Sequence, residues 1–148
     1  MIDFNIRECR SEDIEVIYNL QKAWAKEDIT FGFNPADKGY LVKKLGKYFL
    51  VAEYGQEVIG FVYGTIHEAK DLSIFKNGEK YIELDDIYVN SNYRDSNVGG
   101  GLIDSMLELA SKDGVNRSLV YSATKNSEKI IEFYKKHGYN TWYVQMFK

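Results

Sequence analysis

The residues best suited to chemistry stand together in Leu84-Asp-Asp-Ile-Tyr-Val-Asn-Ser-Asn-Tyr-Arg94-Asp-Ser-Asn97-Val-Gly99-Gly100-Gly101. A β-rich run ends in a short polar turn, and a helix-period pattern (Leu102, Ile103, Met106, Leu107, Ala110) begins among the glycines. The first turn of a helix carries N–H groups without intrahelical partners at the positive end of its dipole. Glycines, lacking Cβ, let an anion approach those groups closely. The pattern is therefore a seat for a phosphate, although a plain strand-to-helix turn has the same look, and spacing has to separate the ligands. A dinucleotide fingerprint counted from Gly99 and Gly101 would need its last glycine where Asp104 stands. A P-loop needs Gly-Lys-Ser/Thr, and no such tripeptide occurs. Other chemistries fail sooner. His67-Glu68 is followed by Asp71 and not by a second His, two His and one Cys make a metal site an unpromising reading, and there is no Gly-x-Ser-x-Gly elbow. Cys9 reads as a buried strand residue and His137 as a surface residue at a helix C-terminus.

The elements that must position this segment follow from periodicity. Phe4, Ile6 and Glu8 alternate with polar neighbours as a first strand, and Ser11-Glu12-Asp13 opens a helix carrying Ile14, Ile17, Tyr18, Leu20 and Gln21 at helical spacing. The stretch from Trp24 to Gly39, with Gly32, Asn34 and the only proline, Pro35, predicts a helix-to-helix loop, and Leu41 to Lys47 a short second helix. Tyr48 to Tyr54 and Val58 to Glu68 are strands with a hairpin signal, Gly55-Gln56, between them. Tyr81 to Val89 is the next strand of an antiparallel meander. From Val98 a helix runs to a C-cap at Gly114. Then come a strand at Ser118 to Ala123, a helix from Ser127 to His137 closed by Gly138, and a last strand from Trp142 to Phe147. The order β-α-α-β-β-β-α-β-α-β predicts an α/β fold with a mixed sheet, mainly antiparallel in its N-terminal half and β-α-β in its C-terminal half, with helices on both faces. No repeat or linker divides residues 1–148, so one domain is expected.

The segment from Leu84 to Gly99 resembles the signature of the GNAT superfamily of acetyl-coenzyme A-dependent N-acetyltransferases. There, a strand ending apolar-x-Val-x-x-x-Tyr-Arg leads into Arg/Gln-x-x-Gly-x-Gly/Ala. Ser127-Glu-Lys-Ile-Ile-Glu-Phe133-Tyr134-Lys-Lys-His-Gly138-Tyr139 is similar to the family's later helix, Asn-x-x-Ala-x-x-Phe-Tyr-x-x-x-Gly-Phe/Tyr. Both pieces occur in the family's order with a strand between them. Asn97 departs from the usual first glycine, but Asn is among the few other residues that accept a left-handed backbone. The family's Asn falls on Ser127, with Asn126 one place early.

The resemblance implies direct transfer of an acetyl group from acetyl-coenzyme A to a primary amine through a ternary complex, without a metal. It implies that backbone groups of Ile87 and Val89 pair with the pantetheine arm as if it were an extra strand. Arg94, with the amides from Asp95 through Ser96, Asn97, Val98 and Gly99 to Gly100, would take the pyrophosphate, and Asn126 or Ser127 would reach the cofactor. The N–H of Ile87 or Tyr88 would meet the thioester oxygen, and Tyr134 matches the family's general acid, with a core tyrosine as the alternative. An ammonium must lose a proton before it attacks, and Glu83, Asp85 and Asp86 are the carboxylates at hand; Asp85 stands where relatives often carry a base. Strand parity puts Glu83, Asp85, Ile87 and Val89 on one face and Asp86 with Tyr88 on the other, unless a bulge intervenes. Trp24, Glu27, Asp28, Phe31 and Phe33 fall in the loop that borders the acceptor in the family. With Glu68, Asp71 and Asp85 they suggest an acidic, aromatic pocket for a small cationic amine. A peptide amine, or a non-catalytic acyl-coenzyme A-binding module, is the alternative. Many relatives are dimers, so a homodimer is among the implications.

Composition agrees with a packed globular protein. Nineteen basic against 22 acidic residues give a net charge of −3, and the basic residues form no stripe that would attract nucleic acid. No apolar run approaches the ~20 residues of a membrane helix. The lone Cys9 and the absence of a leader-like start predict a cytoplasmic protein.

Overall fold

The computed structural model describes all residues from Met1 to Lys148. Its elements are β1 (Asn5–Glu8), a 3₁₀ turn (Ser11–Asp13), α1 (Ile14–Glu27), α2 (Lys38–Lys44), β2 (Phe49–Tyr54), β3 (Glu57–Glu68), β4 (Lys80–Val89), a second 3₁₀ turn (Ser91–Tyr93), α3 (Val98–Lys112), β5 (Arg117–Val120) and α4 (Ser127–Lys136). The five strands form one sheet in sequence order, antiparallel through β4 and parallel between β4 and β5. This is the expected mixed α/β architecture.

Each face of the sheet is covered by the helices whose apolar stripes the sequence displays. On one side Ile14, Ile17, Leu20 and Leu41 of α1 and α2 pack against Phe49, Val51, Phe61, Tyr63 and Tyr88. On the other, Leu102, Ile103 and Met106 of α3 pack against Leu50, Val62, Ile82 and Leu84, and Tyr134 of α4 joins them. The entry to α1 is fixed by Arg7, whose guanidinium grips Asp13 (2.7 and 3.0 Å) and Glu53 (2.8 Å). The Arg7 hydrogen bonds hold the Asp13 carboxyl below its usual range despite its burial.

Several boundaries differ from the sequence reading. The helix predicted to open at Ser11 begins as the 3₁₀ turn, and α1 runs on through Trp24 to Glu27, stopping where Asp28 takes a left-handed φ of 53°. Asp37 accepts the Tyr40 N–H (2.7 Å), so α2 begins at Lys38 and ends at Lys44, earlier than expected. β5 stops at Val120, short of the predicted Ala123. The predicted last strand from Trp142 to Phe147 is absent; residues 140–148 join no ladder, and Val144, Met146 and Phe147 are exposed. An alternating apolar pattern becomes a strand only beside a partner, and β5, the neighbouring edge, is four residues long. The parallel part of the sheet is therefore a single β4-α3-β5 crossover.

Candidate active site

The site begins where β4 and β5 part. Their ladder ends at Leu84 and Val120, while β4 continues to Val89 alongside β3 only. The Asn90 N–H bonds the Ile59 carbonyl (2.8 Å). Inward-pointing groups recur at every second residue of an antiparallel ladder. Tyr88 therefore spends its backbone on β3, whereas Ile87 and Val89 turn theirs toward the gap. Of the two donors considered from sequence, Ile87 is the one whose N–H faces open space. The Tyr88 ring lies on the α1 side, stacked on Trp24.

A polar turn closes the far end of the gap. Asn97 adopts φ 60°, the left-handed conformation expected for a residue in a glycine's place, and starts α3. The N–H groups from Asp95 to Gly100 have no partner in the chain. Gly100 cannot be replaced without movement, since a Cβ there would lie 2.3 Å from Asn97 Oδ1 and 3.0 Å from His137 Cε1. Gly99 has ordinary clearance, 3.4 Å from Phe133. The Arg94 side chain turns away from this turn. It makes a two-pronged pair with Glu27 (2.7 and 2.6 Å), bonds the Val89 carbonyl (3.1 Å) and lies over the Tyr88 ring. Arg94 hydrogen bonds keep the Glu27 carboxyl below its usual range. Arg94 thus fastens the end of β4 to α1.

The gap widens into a cleft of about 1390 Å³ that reaches from α4 to Trp24, Phe31 and Phe33 and contains Ile87, Ser127 and Tyr134 in its walls. Tyr134 is buried, its hydroxyl has no partner in the chain, and burial, then the nearby Tyr139, push its pKa up. Asn126 caps α4 by accepting the Lys129 N–H (3.2 Å), which leaves Ser127 as the member of that pair that lines the cleft. Overhead, Thr30 and Thr124 form a single bridge, with Phe31 N–H on the Ala123 carbonyl and Lys125 N–H on the Ile29 carbonyl.

On the α1/α2 side, a second cavity of about 450 Å³ shares Asn34, Leu84, Asp85, Asp86 and Tyr121 with the cleft. It exists because the strand parity is broken. Tyr63 pairs with Asp86 and Gly64 with Leu84, so Asp85 is the extra residue of a bulge. A Cβ on Gly64 would lie 2.7 Å from the Glu83 carbonyl, so only glycine fits opposite the distortion. The bulge corrects the expected alternation: Glu83, Asp85 and Asp86 all present carboxylates to this cavity, and Ile87 and Val89 face the α3 side. Asp85 Oδ2 is held by Thr65 Oγ1 (2.7 Å) and Lys44 Nζ (3.2 Å), and Glu83 Oε2 by His67 Nε2 (2.9 Å). Asp86 Oδ2 accepts from Gln21 Nε2 (3.1 Å) and from the Tyr63 hydroxyl, while its Oδ1 has no partner in the chain. Burial raises the Asp86 pKa above the carboxylate range, the two hydrogen bonds work against this, and the Asp85 charge adds to it.

The loop residues singled out from sequence are placed less centrally. Trp24 is held between Phe33 (4.0 Å between ring centroids) and Tyr88 and bonds Thr30 Oγ1. Glu27 is paired with Arg94, Asp28 with Lys125 at the surface, and Phe31 meets Phe147 edge to face. Glu68 and Asp71 are exposed and outside the cavity. The acidic and aromatic character sits instead in Asp37, Tyr40, Tyr63, Glu83, Asp86 and Tyr121. Two signals for this were present in the sequence: Gly64 inside a β-run marks a bulge, and Gln21 is a polar residue on an apolar helix stripe. His137, read as a surface residue, has a ring only 13% exposed, bonded to Asp104 and packed on Phe133.

A splayed strand pair, a turn of free amides beside it and a tyrosine hydroxyl in the cleft define the architecture of an acyl-coenzyme A-dependent transferase. The model of the acetyltransferase (GNAT) family matches residues 12–139. The chain belongs to that family and is an acetyl-coenzyme A-dependent N-acetyltransferase. Among solved structures, it is similar to a putative acetyl transferase from Pyrococcus furiosus (21% identity, 99% of each chain, TM-score 0.74). It is also similar to an aminoglycoside acetyltransferase, meta-AAC0020, from an uncultured soil metagenomic sample, solved with sisomicin (17% identity, 98% of this chain and 95% of that one, TM-score 0.73). A Clostridium acetobutylicum predicted acetyltransferase solved with acetyl-coenzyme A shares 17% identity over 97% of this chain and 96% of that one, with a TM-score of 0.72. These likenesses establish the fold. No curated protein matches by sequence.

Proposed function

We propose that the enzyme acetylates a primary amine on a small cationic acceptor seated in the cavity between β4 and α2. The observation that carries this is the meeting of the two cavities at Leu84, Asp85 and Asp86, beside the free N–H of Ile87. Four carboxylates, Asp37, Glu83, Asp85 and Asp86, face the acceptor side. Lys44 is the one lysine paired with any of them there. A cation is the ligand that such a cavity selects.

In this reading the pantetheine arm lies along Ile87 and Val89, the amides of Asp95 to Gly100 take the pyrophosphate, and Ser127 lines the arm's path. When bound, acetyl-coenzyme A supplies an activated acetyl group as a thioester. Asp86, through its free Oδ1, takes the proton from the acceptor ammonium, and Asp85, anchored by Lys44 and Thr65, orients it. As the new nitrogen–carbon bond forms and the carbon–sulfur bond breaks, the Ile87 N–H meets the oxygen on which charge gathers. Tyr134 passes its proton to the departing sulfur, and the second proton that the nitrogen sheds as the amide forms restores the Tyr134 hydroxyl through solvent in the cleft.

The test is acetyl transfer measured against a panel of amines: linear polyamines, aminoglycosides, lysine-like monoamines, neutral aryl-alkylamines and an acidic N-terminal peptide. Polycationic acceptors are expected to show the highest kcat/KM, and Asp86→Asn to lower it by about 10²–10³-fold. Equal or better turnover of the neutral amines or the peptide by the wild-type enzyme would remove the cationic acceptor from consideration.

A further inference from the structure

Gln21 is fully buried on the apolar face of α1, in a position that a leucine or methionine would fill at no polar cost. Its amide is used at both ends. Nε2 donates to Asp86 Oδ2 on β4 (3.1 Å), and Oε1 accepts the Ala36 N–H (3.1 Å) in the Asn34–Asp37 stretch that walls the acceptor cavity. The orientation is forced by chemistry, because the flipped amide would set its oxygen against a carboxylate and its NH₂ against an N–H. One side chain therefore spans α1, the catalytic strand and the acceptor loop.

We propose that Gln21 is a positioning residue that locks the proton-accepting Asp86 to the wall of the acceptor cavity, so that acceptor seating and proton acceptance are set by one buried amide. This rests on the reading of Asp86 as the proton acceptor. The groups around Asp86 are Asp85 and Glu83 on β4, Tyr63 on β3, Lys44 and Tyr40 on α2 and Asp37 in the loop; α1 contributes the neutral Gln21. The Gln21 donor favours the ionised carboxylate, so its loss disfavours that form.

The experiment is the pH dependence of kcat/KM for Gln21→Met, Gln21→Glu and Asp86→Asn with a polyamine acceptor, alongside acetyl-coenzyme A KM and melting temperature. In Gln21→Met the acidic limb is expected to move up by about one to two pH units. The acceptor KM should rise about fivefold as the Ala36 N–H loses its partner, while acetyl-coenzyme A KM stays put. Gln21→Glu keeps an oxygen for Ala36 but sets a second carboxyl against Asp86, so its limb should move up at least as far with a smaller change in acceptor KM; it decides the matter if Gln21→Met does not fold. Loss of the limb in Asp86→Asn, with wild-type limbs and acceptor KM in both folded Gln21 variants, would overturn the positioning role alone. An Asp86→Asn enzyme that retains the wild-type limb would overturn the reading of Asp86 and the proposal with it.

Discussion

Tyr134 has a hydroxyl with no bond to the rest of the chain, held at the wall of the cleft by a ring that packs on Phe133 and Tyr139. Deleting that oxygen leaves no partner unsatisfied, so the cost to folding is small. Burial also keeps the proton on the oxygen at neutral pH, which is the state a general acid needs. Tyr134→Phe is expected to lower kcat by about 10²–10⁴-fold with acetyl-coenzyme A affinity and melting temperature little changed. Rapid-quench measurement of the chemical step checks this, and full turnover in that step would reduce Tyr134 to a core residue. Tyr63 offers a contrast at the same scale. Its hydroxyl bonds Asp86, so Tyr63→Phe alters the carboxylate instead of the leaving group.

The turn that starts α3 separates two uses of glycine within adjacent residues. At Gly99 a side chain has room, but if the free amides take the pyrophosphate as proposed, a carboxylate there would meet it as a like charge. Gly99→Asp is therefore expected to fold normally and to lose acetyl-coenzyme A binding in calorimetry. At Gly100 a methyl group would push aside the end of the exposed Asn97 side chain and crowd the His137 ring at 3.0 Å. Gly100→Ala is therefore expected to fold with a stability within about 1 kcal/mol of wild type in denaturant titration, the helix preference for alanine offsetting the crowding at His137. These elements were readable from sequence because their causes are local: helical stripes in α1 and α3, two residues between β2 and β3, an Asn able to stand at φ 60°. The features that escaped have causes elsewhere in the chain. Asp85 and Asp86 reach the same cavity because the opposite strand carries Gly64, and strand parity within β4 contains no trace of that. Trp142 to Phe147 has a strand's pattern without a strand's partner.

At the scale of the whole molecule, the proposed reaction centre is a meeting of segments far apart in the chain: α1, the Asn34–Asp37 loop, β3, β4, the segment after β5 and α4. The turn that starts α3 was legible because one contiguous motif builds it. The acceptor side was not, since Gln21, Asp37, Tyr63 and Asp86 become neighbours only when helices from the first third of the chain pack on strands from the middle. Trp24 and Glu27, which the sequence suggested for the acceptor, instead brace the end of β4 through Tyr88 and Arg94.

The cleft and the smaller cavity meet along Asn34, Leu84, Asp85, Asp86 and Tyr121, while Ser127 and Tyr134 belong to the cleft alone and Asp37, Tyr40 and Tyr63 to the cavity alone. In the proposed reading the donor fills the cleft and the amine the cavity, so both are held at once and neither must depart to admit the other. The only thiol in the chain, Cys9, is buried and lines neither cavity, and burial pushes its pKa up to about 12, so it is no way station for the acetyl group. Initial velocities measured at several fixed amine concentrations should therefore give double-reciprocal lines that intersect; parallel lines, the mark of a substituted enzyme, would contradict joint occupancy.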